Sequence, residues 1–585
     1  MRFAQYRLDP LPVVLGATLL LLVAAWLLQR RPAPSWALAG RARLQGWAAG
    51  AWAPLLVWVF STLYLLLTAW QAGRSLDIPW TDESMHLVQA QLLSRGMLSA
   101  PAHPLADHME SFFLFVKPRY AAMYFPGTSL LYVPFLWAGL PPWCFSMAVS
   151  GGLVALTFVV ARRLMGPGGG LLAALALLSC DQLRFLSIRL VSHHTSALVN
   201  LGILYAYLRW REHPRSLKCT SLLGTLAGVS LLTRPVEAVA QGSALLLMML
   251  YQARGQRPML ARSLVTTGLI AMPWLAIQLR LNAEVTGDWR LPPIQLYFQT
   301  YHLGAGYGAA PLPEDHRRVA SELPQKTDYF YGIIAPYIRH YQSCNPGVET
   351  LTQRLPLSLI RLCAHPLWWM AWTVGLLSLR RDVAAWIGIG TGTFFVLLLP
   401  QSHYLVHYGI ALAAPLAIVW AAGVRALAGP SMGWLAFWCG TCLLNWPQFN
   451  PAIEEGHQAG HHRAVASRLI RHQLAPQLTG PAVLFVRYRH WQDPYTPGVD
   501  DFHDEPVYTT TTLWPEDSRL ALFQALGAKR DLEVVRFFAE RNPQRDFFYY
   551  DRHRQRLMRL GTARELLERG FPASYDDPGP PSGKM

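Results

Sequence analysis

The chain has 585 residues, of which 52% are hydrophobic and 15% are charged, and its formal net charge is +16. Soluble proteins carry about 25% charged residues, so this composition excludes an ordinary soluble enzyme. The basic excess lies in connections between apolar segments before about residue 447, a distribution that the positive-inside rule explains better than nucleic-acid binding does.

About a dozen segments are apolar enough to be transmembrane helices. In chain order they are 11–29, 51–71, 144–162, 167–181, 195–209, 219–233, 236–252, 263–279, 357–378, 384–400, 408–424 and 431–446. Arg30 and Arg31 directly follow the first segment, which favours a retained helix over a cleaved signal peptide. Lys and Arg are concentrated in every second connection, which indicates the cytoplasmic side. We therefore expect an all-α polytopic protein of the plasma (inner) membrane, with both the N-terminus and the C-terminal region outside the cytoplasm.

The predicted transmembrane domain covers 1–446 and has two large outer loops, 72–143 and 280–356. Within the first loop, the apolar segment 124–142 is interrupted by Pro and Gly, and we interpret it as lying along the outer membrane surface. Residues 447–575 mix short apolar runs with polar helical patterns, which indicates a small extracytoplasmic α/β region. The tail 576–585 is rich in Pro, Gly and Ser and is expected to be disordered.

The first outer loop contains two adjacent carboxylates, Asp82 and Glu83, shortly after the second predicted span. Neighbouring helical residues point about 100° apart, so only one of the two need face a site. A carboxylate at the mouth of a span is a candidate general base. The alternative is that Thr81 caps the following helix and that both carboxylates stabilise its N-terminal end.

The order and spacing of motifs over residues 50–430 resemble the GT-C superfamily of membrane glycosyltransferases. Within it, the chain is similar to the group of protein O-mannosyltransferases, lipid A aminoarabinose transferases and RgtA/B/C/D-like enzymes. The motifs are the outward Asp82-Glu83, the run Phe115-Val116-Lys117-Pro118, and the stretches 151–163, 224–234, 282–292 and 403–415. The match is partial after Lys117, because Arg119 stands where the family has a second Pro.

This resemblance implies inverting transfer of a sugar from a polyprenyl-phosphate donor at the outer face of the membrane. Asp82 would be the catalytic base with Glu83 beside it, and Lys117 and Arg119 would bind the donor phosphate, with Lys117 matching the family's motif. Arg234, at a tight turn on the outer side, is a separate candidate for binding the lipid phosphate. It implies no required cofactor, leaves a divalent metal open, and does not distinguish a lipid, glycan or protein acceptor. No nucleic-acid partner is expected.

The cations and rings near the outer face have structural alternatives. Lys117 and Arg119 fit snorkelling to the membrane surface, and Arg234 fits an ion pair with Glu237. Four further residues are predicted to contact substrate: His193, His194, His403 and Tyr404. For the pair His193 and His194 the alternatives are packing at the membrane surface or a metal site. For His403 and Tyr404 the alternative is an aromatic belt.

Three other functions remain open from the sequence. A lipid-linked oligosaccharide polymerase or ligase uses similar lipid-phosphate chemistry but relies on outer-loop Arg rather than on an early Asp-Glu. A transporter or flippase commonly has internal repeats, and we find no convincing repeat here. A non-catalytic relative is compatible with the partial match after Lys117.

Overall fold

The computed structural model describes 11–30, 33–74, 76, 81–306, 312, 321–363, 365–402, 404–444, 474–478, 480–487, 512–551 and 556–576. For 11–13, 81 and 324 it describes the backbone alone. His403 and all but the first residue of the predicted tail 576–585 lie outside the described residues.

The first part of the chain is helical, with three short strands between residues 95 and 126. Its helices are α1 (Leu11–Gln29), α2 (Ser35–Ala49), α3 (Ala53–Gln71), α4 (Thr81–Ser94), α5 (Gly127–Trp137), α6 (Pro142–Met165), α7 (Pro167–Leu178), α8 (Asp181–Leu186), α9 (Ser192–Glu212), α10 (Leu217–Thr233), α11 (Pro235–Gln252), α12 (Arg257–Thr286) and α13 (Pro293–Tyr301). The strands are β1 (Ala100–Pro101), β2 (Leu114–Phe115) and β3 (Arg119–Ala122), in the order β1-β3-β2.

The second part of the chain continues as helices and ends in a small sheet. Its helices up to the sheet are α14 (Pro324–Tyr329), α15 (Ala335–Ser343), α16 (Pro346–Glu349), α17 (Leu355–Leu362), α18 (Leu367–Ser378), α19 (Arg381–Leu398), α20 (Ala413–Ala428) and α21 (Met432–Leu443). The C-terminal elements are β4 (Ala482–Arg487), β5 (Leu520–Gln524), α22 (Ala528–Arg541), β6 (Asp546–Asp551), β7 (Arg556–Thr562) and α23 (Ala563–Arg569).

Several helices have the length and composition that a bilayer requires. Among the described residues, five are long and apolar enough to cross a membrane: Ala53–Gln71, Pro142–Met165, Arg257–Thr286, Arg381–Leu398 and Val406–Ala428. On α12, Val265, Leu269 and Met272 are each about 60% exposed, which an aqueous solvent would disfavour and lipid would not. The protein is therefore membrane-embedded and mostly helical, as the sequence predicts.

Each predicted span overlaps at least one helix of the described residues, but the boundaries differ in places. The segment 357–378 is divided into α17 and α18, because the chain is extended at Cys363 and Pro366 lacks the N–H that a continuous helix needs. The sequence did not predict α2, which lies in the connection after the first span. The interfacial segment 124–142 contains α5, whose 11 residues are too few to span a bilayer.

Small residues bring α18 and α20 into backbone contact. A Cβ atom on Gly375 would collide with the carbonyl of Val419, and one on Gly423 would collide with the carbonyl of Ala371. Close approach at small residues is a common means of association between helices in lipid, where the hydrophobic effect does not draw them together.

The C-terminal sheet has the order β5-β4-β6-β7, parallel between β5, β4 and β6 and antiparallel between β6 and β7. The helix α22 forms the crossover between β5 and β6 and buries Val534, Val535 and Phe538. The predicted small α/β character of this region is confirmed.

The C-terminal region packs against the segment that connects α4 to α5. Their apolar side chains belong to one buried cluster that includes Phe115 and Phe523. Polar contacts join the same surfaces: His108 Nε2 lies 3.0 Å from Asp531 Oδ1, and His103 Nε2 lies 3.3 Å from Glu516. This packing covers the loop that carries the candidate base.

Candidate active site

The two adjacent carboxylates at the start of α4 have different surroundings. Glu83 is almost fully buried, accepts a hydrogen bond from the backbone N–H of Leu190 at 3.0 Å, and faces Arg189 at 3.8 Å. Asp82 is mostly buried, though less so than Glu83, and accepts a hydrogen bond from the hydroxyl of Tyr124. Glu83 therefore connects α4 to the segment before α9, whereas Asp82 contacts the aromatic side chain of Tyr124.

Tyr124 is held in place by the side of α4 that follows Asp82. The amide of Gln89 donates to the Tyr124 carbonyl at 2.7 Å and accepts from the hydroxyl of Ser129 at 2.8 Å. The ring of His86 stacks on the Tyr124 ring with centroids 4.9 Å apart. Two turns of one helix thus fix the phenol that contacts Asp82.

The protonation of Asp82 follows from this environment. Burial raises the pKa of its carboxyl group to about 6, and the hydrogen bond from Tyr124 lowers that pKa in part. Tyr329 and Tyr408 also lie within electrostatic reach of Asp82. A carboxylate with a pKa near 6 is ionised at neutral pH and is a stronger base than one with the usual value of 3.8.

Aromatic side chains form a wall beside Asp82. The ring of Phe113 contacts those of Tyr124 and Tyr329, with centroids 5.8 and 6.2 Å apart. Phe113 has a φ of 60°, which is unfavourable for a bulky residue. Its N–H donates to the Tyr297 hydroxyl at 2.9 Å, so the surrounding structure holds the unusual backbone in place.

A buried ion pair supports the same wall. Lys326 Nζ lies 2.7 Å from Glu110 Oε1 and 3.8 Å from the centre of the Tyr301 ring. Burial lowers the pKa of Lys326, and the Glu110 carboxylate opposes that change. Because Tyr329 follows Lys326 by one helical turn, the pair fixes the position of the tyrosine near Asp82. Neither partner was a candidate from the sequence.

Arg234, at the junction of α10 and α11, supplies positive charge to the site. Its Nε donates to the Glu237 carboxylate, its Nη1 lies 3.3 Å from the Ser192 hydroxyl, and its guanidinium lies 5.0 Å from the centre of the Tyr408 ring. Burial, and then the charge of Arg234, lower the pKa of His86 to about 3. The predicted pair with Glu237 is present, and His86 is neutral at physiological pH.

The histidine pair lies at the start of α9, close to Arg234. The His193 ring contacts those of His407 and Tyr408, with centroids 4.6 and 5.4 Å apart. His194 is fully buried, and neither ring nitrogen has a hydrogen-bond partner among the described residues. Substrate contact by either histidine stays a prediction.

Tyr404 belongs to a neighbouring polar group. Its hydroxyl lies 2.5 Å from the Ser358 hydroxyl, and the guanidinium of Arg354 lies 5.4 Å from the centre of its ring. The Tyr404 ring also contacts that of Tyr408 at 5.6 Å, which connects this group to the site. Its predicted role in substrate contact remains a prediction.

The other two predicted phosphate ligands have different partners. Lys117 Nζ lies 2.6 Å from Asp107 Oδ1 and its side chain is 57% exposed, while Arg119 donates to the Ser99 hydroxyl and carbonyl. Although burial acts to raise it, the charges of Lys117 and Arg530 hold the pKa of Asp107 below its usual range. No contact among the described residues brings Lys117 or Arg119 together with Asp82, and their role in donor binding stays a prediction.

The structure also identifies site residues that the sequence analysis missed. Tyr124 is the first residue of the segment 124–142 but was not a candidate for the site, and neither was His86. The one available signal was local: His86 and Gln89 follow Asp82 at spacings of four and seven, which place the three residues on one side of a helix.

The comparisons with known proteins gave structural matches only. No family model and no curated protein matches the chain. The structure of ArnT from Cupriavidus metallidurans bound to undecaprenyl phosphate matches with a TM-score of 0.49 and 15% identity, over 86% of this chain and 94% of that chain. The apo structure of the same protein matches with a TM-score of 0.47 and 15% identity, over 85% and 92%.

A third match is the archaeal oligosaccharyltransferase AglB from Archaeoglobus fulgidus in complex with an inhibitory peptide and a dolichol-phosphate. Its TM-score is 0.42 and its identity 14%, over 69% of this chain and 55% of that chain. With TM-scores below 0.5 and identities of 14–15%, these matches carry no argument about function. The chemistry of the site rests on this chain's own residues.

Proposed function

We propose that this chain is a membrane glycosyltransferase that moves a sugar from a polyprenyl-phosphate donor to an acceptor, with inversion at the anomeric carbon. The observation that carries the proposal is Asp82, a carboxylate with a pKa near 6 that is hydrogen-bonded to Tyr124 and lies in a site bordered by Arg234. The donor class comes from the sequence resemblance. The identities of the sugar and of the acceptor are outside the proposal.

The proposed reaction is a single displacement. Asp82 accepts the proton of the acceptor hydroxyl while that oxygen forms a bond to the anomeric carbon. The bond between this carbon and the phosphate oxygen breaks, and its electron pair leaves with the polyprenyl phosphate. Attack from the side opposite the leaving group gives inversion, and no covalent enzyme intermediate is needed.

Arg234 is the cation that the proposal assigns to the leaving phosphate. A guanidinium has five N–H donors, and the described contacts of Arg234 engage Nε with Glu237 and Nη1 with Ser192. Three of the five donors are not engaged by these two contacts, and the proposal assigns them to the phosphate oxygens. A fixed cation in a site of low dielectric stabilises the charge that develops on a leaving group.

The proposal also includes the path of the chain through the membrane. Twelve spans, as predicted from the sequence, would place α4 and the C-terminal region outside the cytoplasm in the plasma (inner) membrane. Reporter fusions test this path: a fusion after Arg425 should report a cytoplasmic position, and one after Gln448 an extracytoplasmic one. The opposite result would remove Asp82 from the outer face and contradict the mechanism.

The function is tested with the purified full chain in liposomes. The assay offers a panel of radiolabelled polyprenyl-phosphate sugars and a total membrane extract as acceptor, and compares the wild type with Asp82→Asn. Asn keeps the shape of the side chain and removes the proton acceptor, so we expect a loss of at least 100-fold in rate, within the range for acid–base catalysis. Asp546→Asn is the matched control, because Asp546 is exposed and pairs with Arg559 on the surface.

The outcomes separate the assigned base from the overall function. Equal rates for the wild type and Asp82→Asn would assign the base to another residue. No transfer from any donor in the panel, by wild-type protein that is folded by its melting profile, would contradict the proposed reaction.

A further inference from the structure

Three side chains with metal-binding atoms converge where α15 meets α16, apart from the residues around Asp82. They are His340 on α15, Cys344 directly after α15, and Glu349 at the end of α16. One imidazole nitrogen, the Cys344 sulfur and one carboxylate oxygen lie within 4.8 Å of one another. None of these residues was a candidate from the sequence, because their spacing matches no familiar metal-binding motif.

Two separations, from the imidazole and the thiol to the two oxygens of the Glu349 carboxylate, are close to those between ligands of a tetrahedral zinc ion. His340 Nε2 lies 3.6 Å from Glu349 Oε1, and Cys344 Sγ lies 3.4 Å from Glu349 Oε2. Zinc bonds of about 2.3 Å to sulfur and about 2.0–2.2 Å to nitrogen and oxygen, at tetrahedral angles, separate the ligand atoms by roughly 3.3–3.6 Å. Small side-chain adjustments would therefore suffice to place all three around one ion.

The turn that brings the ligands together is fixed by its own hydrogen bonds. The side chain of Asn345 accepts from the backbone N–H groups of Gly347 and Val348, at 2.9 and 3.2 Å, and so caps α16. This cap sets the short connection between Cys344 and Glu349, which are five residues apart in the chain.

Arg354 orients the carboxylate of Glu349 through a hydrogen bond. Arg354 Nη2 donates to Glu349 Oε2 at 3.1 Å, and Arg354 is itself buried and donates to the carbonyls of Leu398 and Gln401 at 2.9 Å each. Partners of this kind orient metal ligands and strengthen binding. The charge of Arg354 opposes that of a cation, so the site would suit an ion whose affinity comes largely from thiolate and imidazole bonds.

We propose that His340, Cys344 and Glu349 bind one zinc ion, with the fourth position open to water. A thiolate and an imidazole favour zinc over calcium or magnesium, which prefer oxygen ligands. The ion would join α15 to α16 and, through Glu349 and Arg354, hold Tyr404 beside the site. Its role is structural and does not depend on the proposed sugar transfer.

Without a metal, the same residues form a hydrogen-bonded turn in which the Cys344 thiol donates to Glu349. Zinc binding must displace the proton of that thiol.

The test is a titration of the chelator-treated full chain in detergent with Co²⁺, which substitutes for zinc and reports its ligands by absorption. We expect thiolate-to-cobalt charge-transfer absorption in the near ultraviolet, visible bands typical of a tetrahedral ion, and loss of both on adding one equivalent of Zn²⁺. Cys344→Ser should abolish the charge-transfer band, and His340→Ala should weaken Co²⁺ binding at least tenfold.

The matched control is Cys144→Ser, which removes another partly exposed thiol on α6. It should leave the Co²⁺ spectrum unchanged, and all variants are checked for folding by their melting profiles. Absence of a charge-transfer band in the wild type, or its persistence in folded Cys344→Ser, would overturn the proposal. A band that disappears in Cys144→Ser would assign the metal to a different thiol and would equally overturn it.

Discussion

The hydroxyl of Tyr124 donates a hydrogen bond to the carboxylate of Asp82. This contact joins the start of α4 to the chain just before α5, and Gln89 and His86 hold the tyrosine from the same helix as Asp82. Because this hydrogen bond lowers the pKa of Asp82, the protonation of the proposed base depends on the hydroxyl of Tyr124, which a substitution can remove.

Removal of that phenol should change the pH dependence of transfer. Asp82 must be ionised to accept a proton, so the rate should fall as the pH falls below about 6. The hydrogen bond lowers the pKa of Asp82, and Tyr124→Phe should therefore move this acidic limb to higher pH, by up to about one unit. The measurement is kcat/KM against pH.

Tyr132→Phe is the control for this shift, because Tyr132 lies on α5 and its hydroxyl donates to the carbonyl of Leu140 instead. Its profile should match that of the wild type. An unchanged acidic limb in Tyr124→Phe would show that the limb reports another group.

The raised pKa of Asp82 also predicts a gain in stability when the charge is removed. The carboxyl pKa is about 6 in the folded chain against an ordinary value of 3.8, so the folded state disfavours the ionised form. The cost is absent below pH 3.8, grows between the two values, and is complete above about 6. Asp82→Asn should therefore be more stable than the wild type at pH 7.5, by up to about 3 kcal/mol. The measurement is thermal unfolding in detergent at several pH values.

The sign of this effect is diagnostic. Equal melting temperatures at pH 7.5, or a lower one for the variant, would mean that the carboxylate is stabilised in the folded chain. The difference between the two proteins should shrink as the pH is lowered toward 4.

The cations of the site should differ in their effect on the donor. Arg234→Lys keeps a charge but loses the planar donor array, and we expect KM for the donor to rise about tenfold or more. Lys117→Gln should change KM less, because Lys117 is more than half exposed and its charge is compensated by Asp107. Initial rates against donor concentration measure both. A larger effect of Lys117→Gln would contradict the assignment of the leaving phosphate to Arg234.

Arg234→Ala is a poor substitute for this test. It would leave Glu237 buried without its charged partner, which can cost about 3–5 kcal/mol of stability. Lys avoids that complication because it retains a cation near Glu237.

The crossing of α18 and α20 should be intolerant of side-chain atoms. Gly423→Ala places a methyl group against the Ala371 carbonyl, and we expect the helices to move apart at a cost of about 1–3 kcal/mol, as in other overpacked contacts. Gly388→Ala on α19 is the matched control, since a Cβ there has no neighbour within 4 Å among the described residues. It should be neutral or slightly stabilising. Thermal unfolding of both variants distinguishes a close contact from a general effect of replacing glycine in a helix.

Much of the architecture could be predicted from the sequence. A bilayer demands a minimum length of apolar residues whatever the rest of the chain does, and this local requirement is why every predicted span overlaps a helix. The alternative in which Thr81 caps a helix that begins with Asp82 and Glu83 agrees with the start of α4 at Thr81. The break between α17 and α18 was missed because the apolar pattern continues through Pro366, and the composition of the segment outweighed one helix-breaking residue.

The sequence by itself therefore determined that the chain is a membrane-embedded helical protein with an α/β C-terminal region and a carboxylate pair at the start of a helix. The tertiary structure alone decided which carboxylate meets Tyr124, that Lys117 pairs with Asp107, and that Cys344 approaches Glu349. The physical reason is that these features depend on interactions over different distances along the chain. Apolar length and loop charge act within one segment, whereas the partner of a polar side chain depends on how distant segments pack together.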